Sequence, residues 1–247
     1  MRDTLRRYGG WLLSATLLLG LGLTSWKMLE FHARLNELEN PRWEQRLAAV
    51  RPYQNPIVMF GDSQIANWPV ASSFGMLPVL NRGLIGDLAT RQPSRFEREV
   101  VPLNASLVVI LIGTNDLAHD HPPQEILKSV ADMADRAHGL GSGVVICSLL
   151  PARGAPATVR PRAKIEALNQ ELQQLARAHD AQYVDLYSRL VDDRGELPAA
   201  LSSDGLHPNA AGYLRMTDEL LPVLMRAYAS AGHPAPAPSP GQTTGNL

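Results

Sequence analysis

Short apolar runs alternate with stretches of helical periodicity through the middle of this 247-residue chain. The apolar runs are continuous and do not alternate with polar residues, which is typical of strands that are buried on both faces. Such strands, separated by helices, indicate a parallel sheet that is covered by helices on both sides. Five strands are expected, at Ile57–Phe60, Val79–Asn81, Leu107–Ile112, Val144–Leu149 and Tyr183–Asp185.

Helices are expected between and after these strands, because apolar residues recur there at spacings of three and four. One such helix precedes the fourth strand, another follows it, and a last helix is expected from Asn209 to about Ala229. The alternation predicts an α/β protein, a flavodoxin-like three-layer α/β/α sandwich with a five-stranded parallel sheet. The apolar positions of the first two helices are Ile126, Val130, Met133 and Ala137, and then Ile165, Leu168, Leu172 and Leu175.

The N-terminal segment is predicted to be a membrane anchor. Three arginines precede an uncharged, apolar segment at residues 8–26 that is just long enough to cross a bilayer as a helix. We therefore expect residues 1–26 to form a transmembrane helix with a cytoplasmic N-terminus. A cleaved signal peptide is the alternative, although no persuasive cleavage site follows Leu23. In either case the chain beyond Lys27 would be exported, to a periplasmic or extracellular location.

Composition sets the other domain boundaries. Residues 27–52 are expected to form a stalk or linker, residues 53–231 one catalytic domain, and residues 232–247, rich in Pro, Ala, Ser, Gly and Thr, a disordered tail. The net charge of -1 at pH 7 gives no attraction for nucleic acid, so no nucleic-acid partner is expected. Cys147 is the single cysteine, which excludes an intramolecular disulfide, and no His, Cys, Asp or Glu cluster has metal-ligand spacing.

The loops that follow the strands are where chemistry is expected, because ligands of such sheets bind at the carboxyl ends of the strands. The run GDSQ at residues 61–64 places Ser63 on a sharp turn between a strand and a helix, which suits an exposed nucleophile. A helix cap would favour the same residue types. After the third strand, the amide of Asn115 could donate a hydrogen bond to an oxyanion, or simply belong to a turn. Gly83, after the second strand, is uninformative by itself.

The run SDGLHPN at residues 203–209 lies between the last strand and the last helix. Asp204 precedes His207 by three residues, so its carboxylate can orient the imidazole and stabilise the charged form of the ring. A single histidine is more often structural. Of the seven histidines, however, only His207 has both a neighbouring carboxylate and this position after a strand.

Taken together, these loops resemble the SGNH/GDSL hydrolases, whose sequence blocks carry Ser, Gly, Asn and His in this order. The resemblance spans about Ile57 to Met216, and Gln64 stands where the family usually has leucine. The run NRG at residues 81–83, followed by GD at 86–87 and RF at 95–96, looks like the branch of platelet-activating-factor acetylhydrolase-like esterases.

The resemblance implies hydrolysis of a carboxylic ester through an acyl-enzyme, without a metal or an organic cofactor. Ser63 would attack the ester, His207 would accept and return the proton, and Asp204 would orient His207. The resemblance further implies an oxyanion hole made of the backbone amides of Ser63 and Gly83 and the side chain of Asn115.

The substrate stays open among short acyl esters, acetylated sugars and lysophospholipids. Trp68 either walls the acyl or sugar site or packs at the end of the first helix. Arg153, Arg160 and Arg162 follow the fourth strand, where a solvated loop is favoured over contact with an anionic substrate. Two other functions remain as alternatives: an O-acyltransferase that acts on a cell-surface glycan, and a catalytically idle binding domain at a membrane.

Overall fold

The computed structural model describes Lys27, residues 55–75 and residues 77–230. The described part contains a sheet of five parallel strands in the order β2-β1-β3-β4-β5. The predicted sheet is confirmed, and each strand end lies within two residues of its predicted position. The strands are β1 (Ile57–Gly61), β2 (Val79–Gly83), β3 (Leu107–Leu111), β4 (Gly143–Cys147) and β5 (Gln182–Val184).

Helices connect the strands, and the three longest that the structure describes are the predicted ones. The two helices beside the fourth strand and the last helix are therefore confirmed. The α-helices are α1 (Ser63–Ala66), α2 (Val70–Ser73), α3 (Pro93–Glu99), α4 (Thr114–Ala118), α5 (Pro123–Gly139), α6 (Ala155–Val159), α7 (Arg162–Ala178), α8 (Tyr187–Leu190) and α9 (Ala210–Ser230). Short 3-10 turns occur at Ala89–Arg91 and Val101–Leu103.

Each face of the sheet is covered by its own hydrophobic core, because side chains of successive strand residues point to opposite faces. In β3, Val108 and Ile110 belong to the core that includes residues of α5 and α7. Leu107 and Val109 of the same strand belong to the core that includes residues of α9. The sheet is thus the middle layer of an α/β/α sandwich.

The strand register brings three loops together at one edge. Gly61, the last residue of β1, is paired with Gly83 at the end of β2 and with Leu111 at the end of β3. The loops that follow these strands therefore start side by side. This is the carboxyl edge at which the sequence predicted the chemistry.

The predicted anchor at residues 1–26, the predicted tail at residues 232–247 and the predicted stalk beyond Lys27 lie outside the described residues. Among the helices that the structure describes, none has the length and hydrophobicity that a membrane span requires. The anchor, the stalk and the tail stay predictions.

Candidate active site

The hydroxyl of Ser63 lies 2.9 Å from Nε2 of His207. Ser63 is the first residue of α1, directly after the turn that ends β1, and its side chain is almost fully buried, with 4% of the residue exposed. A serine on this turn faces the carboxyl edge of the sheet, where the loop before α9 can reach it. The structure thus brings these two residues together.

The imidazole of His207 is held from its other side by Asp204. Nδ1 of His207 lies 2.7 Å from Oδ2 of Asp204, and Oδ1 accepts the backbone N–H groups of Leu206 and His207 at 2.9 and 2.8 Å. Burial raises the pKa of Asp204, but hydrogen bonds from His207, Leu206 and Ser202 outweigh it and leave the pKa well below its ordinary value. The carboxylate is therefore ionised and accepts from Nδ1. Nε2 is then free to accept the serine hydrogen.

Two side chains, those of Arg153 and Asn209, fix the loop that carries Asp204 and His207. Arg153 donates to two backbone carbonyls in the segment before Asp204, at 3.0 and 3.1 Å. Asn209 caps α9, because its side-chain oxygen accepts two backbone N–H groups of the first helical turn at 3.0 and 3.1 Å. The histidine is therefore positioned by contacts on both sides of it in sequence.

Asn115 lies at the start of α4, four residues after the end of β3, with 8% of the residue exposed. Its Nδ2 donates to the backbone carbonyl of Asp87 at 2.9 Å, and its Oδ1 accepts from Nη2 of Arg160 at 3.2 Å. A side-chain amide has two N–H donors, so one of them remains available after the contact with Asp87.

The structure does not leave the amide of Gly83 available at this edge. Its N–H donates to Oδ1 of Asn81 at 2.8 Å. A β-carbon at this position would lie 2.0 Å from the backbone nitrogen of Ala66, so glycine is needed here because α1 packs directly on β2. The structure gives Gly83 a packing role, with its amide hydrogen already engaged.

Gly86 was not predicted from the sequence to take part in the site. It is exposed, has a φ of +75°, and directly precedes Asp87, whose carbonyl contacts Asn115. Among the described residues, no acceptor is found for the N–H of Gly86 or for that of Ser63. The sequence showed two glycines in one loop, and only the backbone geometry distinguishes the engaged amide from the open one.

Arg95 lies behind the loops and joins them, a role that sequence analysis did not assign. It is buried, and it donates to the carbonyls of Gly61 at 3.1 Å and Arg82 at 2.8 Å. It also forms an ion pair with Asp87 at 2.6 Å, and its guanidinium stacks on Phe60. One cation therefore holds the ends of β1 and β2 and the loop that supports Asn115.

Two further buried carboxylates lie behind the site. Asp62 is completely buried, and its Oδ1 accepts the N–H of Gln64 at 2.9 Å. Burial raises the pKa of Asp62 to about 7; the cap hydrogen bond opposes this shift, and the carboxylates of Asp87 and Asp116 add to it. Asp116 accepts hydrogen bonds from the loop after β2, including the N–H of Ala89 at 2.8 Å. Asp62 therefore caps the turn that carries Ser63, and Asp116 binds the loop after β2 to α4.

The arginines after β4 depart from the predicted solvated loop. Arg160 is buried and contacts Asn115 directly, and Arg153 is engaged in the segment before Asp204. Only Arg162 is exposed, in an ion pair on the surface of α7. The prediction of a solvated loop was therefore wrong for Arg153 and Arg160, because both guanidinium groups bind backbone carbonyls within the fold.

Trp68 packs in the core and does not line the site. It is buried against Phe74 and Tyr213, and its indole N–H donates to Thr217 at 3.2 Å. Of the two interpretations of Trp68, the structure supports packing at the end of the first helix.

The residues that the structure describes also include acidic, histidine and cysteine side chains away from this site. No group of three or more His, Cys, Asp or Glu side chains among the described residues could hold a metal ion. Cys147 is buried at the end of β4, and burial raises the pKa of its thiol to about 12. The thiol is thus protonated at neutral pH and inert as a nucleophile.

The sequence that forms these loops matches the sequence model of a known protein family. The sequence model of the GDSL-like lipase/acylhydrolase family matches residues 59–215, a span that begins within β1 and ends within α9. The chain belongs to this family. Membership in the GDSL-like family makes the protein a carboxylic ester hydrolase and confirms the resemblance to the SGNH/GDSL hydrolases.

Proteins similar to this GDSL-like hydrolase include a named esterase and two proteins of known structure. Esterase TesA of Pseudomonas aeruginosa is 25% identical over 146 residues, which cover 59% of this chain and 69% of the relative. A GDSL-like lipase of Bacteroides thetaiotaomicron has a TM-score of 0.68 and 23% identity, over 75% of this chain and 98% of that one. An acetyl xylan esterase of Geobacillus stearothermophilus has a TM-score of 0.57 and 17% identity, over 68% and 94%. At these identities the two solved structures show a shared fold alone.

Proposed function

We propose that the protein hydrolyses carboxylic esters through an acyl-enzyme on Ser63. The observation that carries this proposal is the hydrogen-bonded series from the Ser63 hydroxyl through His207 to Asp204. As the serine oxygen attacks the ester carbonyl carbon, Nε2 of His207 takes its proton, and the carboxylate of Asp204 stabilises the imidazolium. The imidazolium then returns the proton to the leaving alcohol. Water next attacks the acyl carbonyl carbon while Nε2 of His207 takes its proton, and the imidazolium gives that proton to the Ser63 oxygen as the carboxylic acid leaves.

The negative charge on the carbonyl oxygen needs fixed donors at the same edge. We assign this role to the second N–H of Asn115 and to the backbone amide of Ser63. For the third donor, the amide of Gly86 replaces that of Gly83. The support is that the Gly86 amide has no acceptor among the described residues and adjoins the carbonyl that orients Asn115, whereas the Gly83 amide is engaged.

Exposed apolar side chains adjoin Gly86 and Arg160 in sequence. Ile85 directly precedes Gly86 and is 51% exposed, and Val159 directly precedes Arg160 and is 46% exposed. Large apolar side chains left open beside a polar site favour a substrate with an apolar acyl or alkyl group. We therefore favour short acyl esters or lysophospholipids over acetylated sugars as substrates.

A series of p-nitrophenyl esters from acetate to octanoate, together with acetylated xylan and lysophosphatidylcholine, tests this function. We expect turnover of the aryl esters and a higher kcat/KM for acyl chains longer than acetyl. Ser72→Ala, which changes an exposed serine that belongs to α2, serves as the matched control for Ser63→Ala. If no ester is hydrolysed by folded protein, the proposed function is wrong; a preference for acetylated xylan would contradict the substrate class only.

We also propose that residues 1–26 hold the exported catalytic domain at a membrane. The support is the apolar segment at residues 8–26 and the arginines before it. The full chain should sediment with membranes and be released by detergent but not by carbonate washing. A soluble mature protein that begins beyond Trp26 would show cleavage instead.

A further inference from the structure

We propose that Arg160 is a positioning residue that holds the side-chain amide of Asn115 in its oxyanion-binding orientation. This inference rests on the proposed role of Asn115 and extends it to a side chain on another loop. Arg160 lies between α6 and α7, after β4, whereas Asn115 lies after β3. The contact therefore joins two loops at the carboxyl edge of the sheet.

Arg160 makes two contacts with consecutive residues at the start of α4. Its Nε donates to the carbonyl of Thr114 at 2.9 Å, and its Nη2 donates to Oδ1 of Asn115 at 3.2 Å. Only 8% of Arg160 is exposed, so water competes little for these hydrogen bonds. Two donors of one planar guanidinium thus fix both the backbone and the side chain at this point.

The direction of the Asn115 amide is set by two partners of opposite type. Its oxygen faces the guanidinium of Arg160, and its nitrogen faces the carbonyl of Asp87. If the amide rotated by half a turn, its N–H groups would face the cation and its oxygen would face a carbonyl oxygen. Both contacts would then be repulsive, so the pair selects a single orientation and aims the remaining N–H away from both partners.

The charge of Arg160 adds to this geometric effect. A cation that binds the amide oxygen draws electron density from the nitrogen, which makes the remaining N–H a stronger donor. In a buried site, this matters most when the carbonyl oxygen of the substrate gains negative charge, which happens only as the reaction proceeds. Loss of Arg160 should therefore lower kcat more than it changes KM.

The first test compares Arg160→Met with Arg162→Met. Methionine keeps the apolar stem and removes the donors, and Arg162 supplies a control two residues away whose guanidinium lies in an exposed ion pair. We expect Arg160→Met to lower kcat by roughly 10- to 100-fold, less than loss of an oxyanion donor itself, with KM changed by less than about threefold. Arg162→Met should leave kcat unchanged. Arg160→Lys should recover part of the loss, since a lysine keeps the charge but lacks the planar fork.

The decisive test is a double-mutant cycle with Asn115→Ala. If Arg160 acts through Asn115, adding Arg160→Met to Asn115→Ala should lower kcat by less than about threefold, because the group that it positions is already gone. Independent losses that multiply in the double variant would overturn the proposal, as would a kcat of Arg160→Met equal to wild type. Melting curves identify an unfolded variant, in which case Arg160→Lys takes its place in the cycle.

The same cycle separates this inference from the proposed function. Suppose that Asn115→Ala lowers kcat, but that Arg160→Met either keeps the wild-type kcat or multiplies the loss in the double variant. In that case only the positioning role is overturned. If Asn115→Ala has wild-type kcat, the oxyanion role and the positioning role are both wrong, whereas activity lost in Ser63→Ala would still support the nucleophile.

Discussion

Nε2 of His207 lies 2.9 Å from the hydroxyl of Ser63, although 144 residues separate the two in sequence. Contacts of Gln64, the residue after the serine, help to keep them together. The backbone carbonyl of Gln64 accepts from the hydroxyl of Tyr213 in α9 at 2.9 Å, and its side-chain nitrogen donates to the carbonyl of Leu206 at 3.5 Å. The turn that carries the serine is therefore bound to the loop that carries the histidine and to the helix that follows.

Asn115→Ala and Asn115→Asp test whether the amide stabilises an oxyanion. A fixed donor stabilises the transition state more than the ground state, so alanine should lower kcat by roughly 10²–10³ with a small change in KM. Aspartate nearly preserves the size of the side chain but places a carboxylate near the developing charge, so it should be at least as damaging. The measurement is steady-state hydrolysis of p-nitrophenyl butyrate by variants that melt cooperatively. A folded variant that keeps more than about half of wild-type kcat would contradict the role, since a lost donor should cost at least tenfold.

Gly83→Ala and Gly86→Ala test whether Gly83 is needed for packing whereas Gly86 is not. At position 83 the new β-carbon would lie 2.0 Å from the backbone nitrogen of Ala66, and neither backbone can move easily, so we expect a loss of about 3 kcal/mol or more. At position 86 the β-carbon would meet no atom within 4 Å, and only the φ of +75° is unfavourable, so a loss of about 1–2 kcal/mol is expected. Urea unfolding measures both. Equal losses would show that the two glycines do not differ in this way.

Asp62→Asn tests the buried carboxyl behind the nucleophile. Burial raises its pKa from 3.8 to about 7, so between these values the folded protein binds more protons than the unfolded chain. The contribution of Asp62 to stability is therefore fully present below about pH 4 and falls by up to about 1.4 kcal/mol for each pH unit towards pH 7. Asparagine resembles the protonated form and does not titrate, whereas the stability of wild type falls between pH 5 and pH 7. The gain in melting temperature of the variant over wild type should therefore be larger at pH 8 than at pH 5. An equal difference in melting temperature at the two pH values would contradict the shifted pKa.

The fold and the principal polar residues of the edge could be predicted because they depend on local patterns. Continuous apolar runs identify the five strands, and parallel strands end at one edge, so Ser63, Asn115 and His207 could be placed near one another from the sequence alone. The features of the structure that the sequence did not predict are contacts between loops. The partner of an arginine depends on how loops fold back, which is why the burial of Arg95 and the contact of Arg160 with Asn115 could not be read from the sequence. Which amide is engaged, that of Gly83 or Gly86, depends on backbone torsions that residue type does not reveal.

Covalent labelling by a fluorophosphonate tests the central claim most directly, because such reagents react with a serine that a neighbouring base activates. The full chain is labelled at neutral pH, digested, and mapped by mass spectrometry, with Ser63→Ala, His207→Ala and Ser72→Ala in parallel. We expect one modified residue, Ser63, in wild type and in Ser72→Ala, and strongly reduced labelling in the other two variants together with loss of at least about 10³-fold in esterase activity. Labelling at another serine, or a folded Ser63→Ala protein that hydrolyses esters at the wild-type rate, would contradict the assignment of Ser63 as the nucleophile.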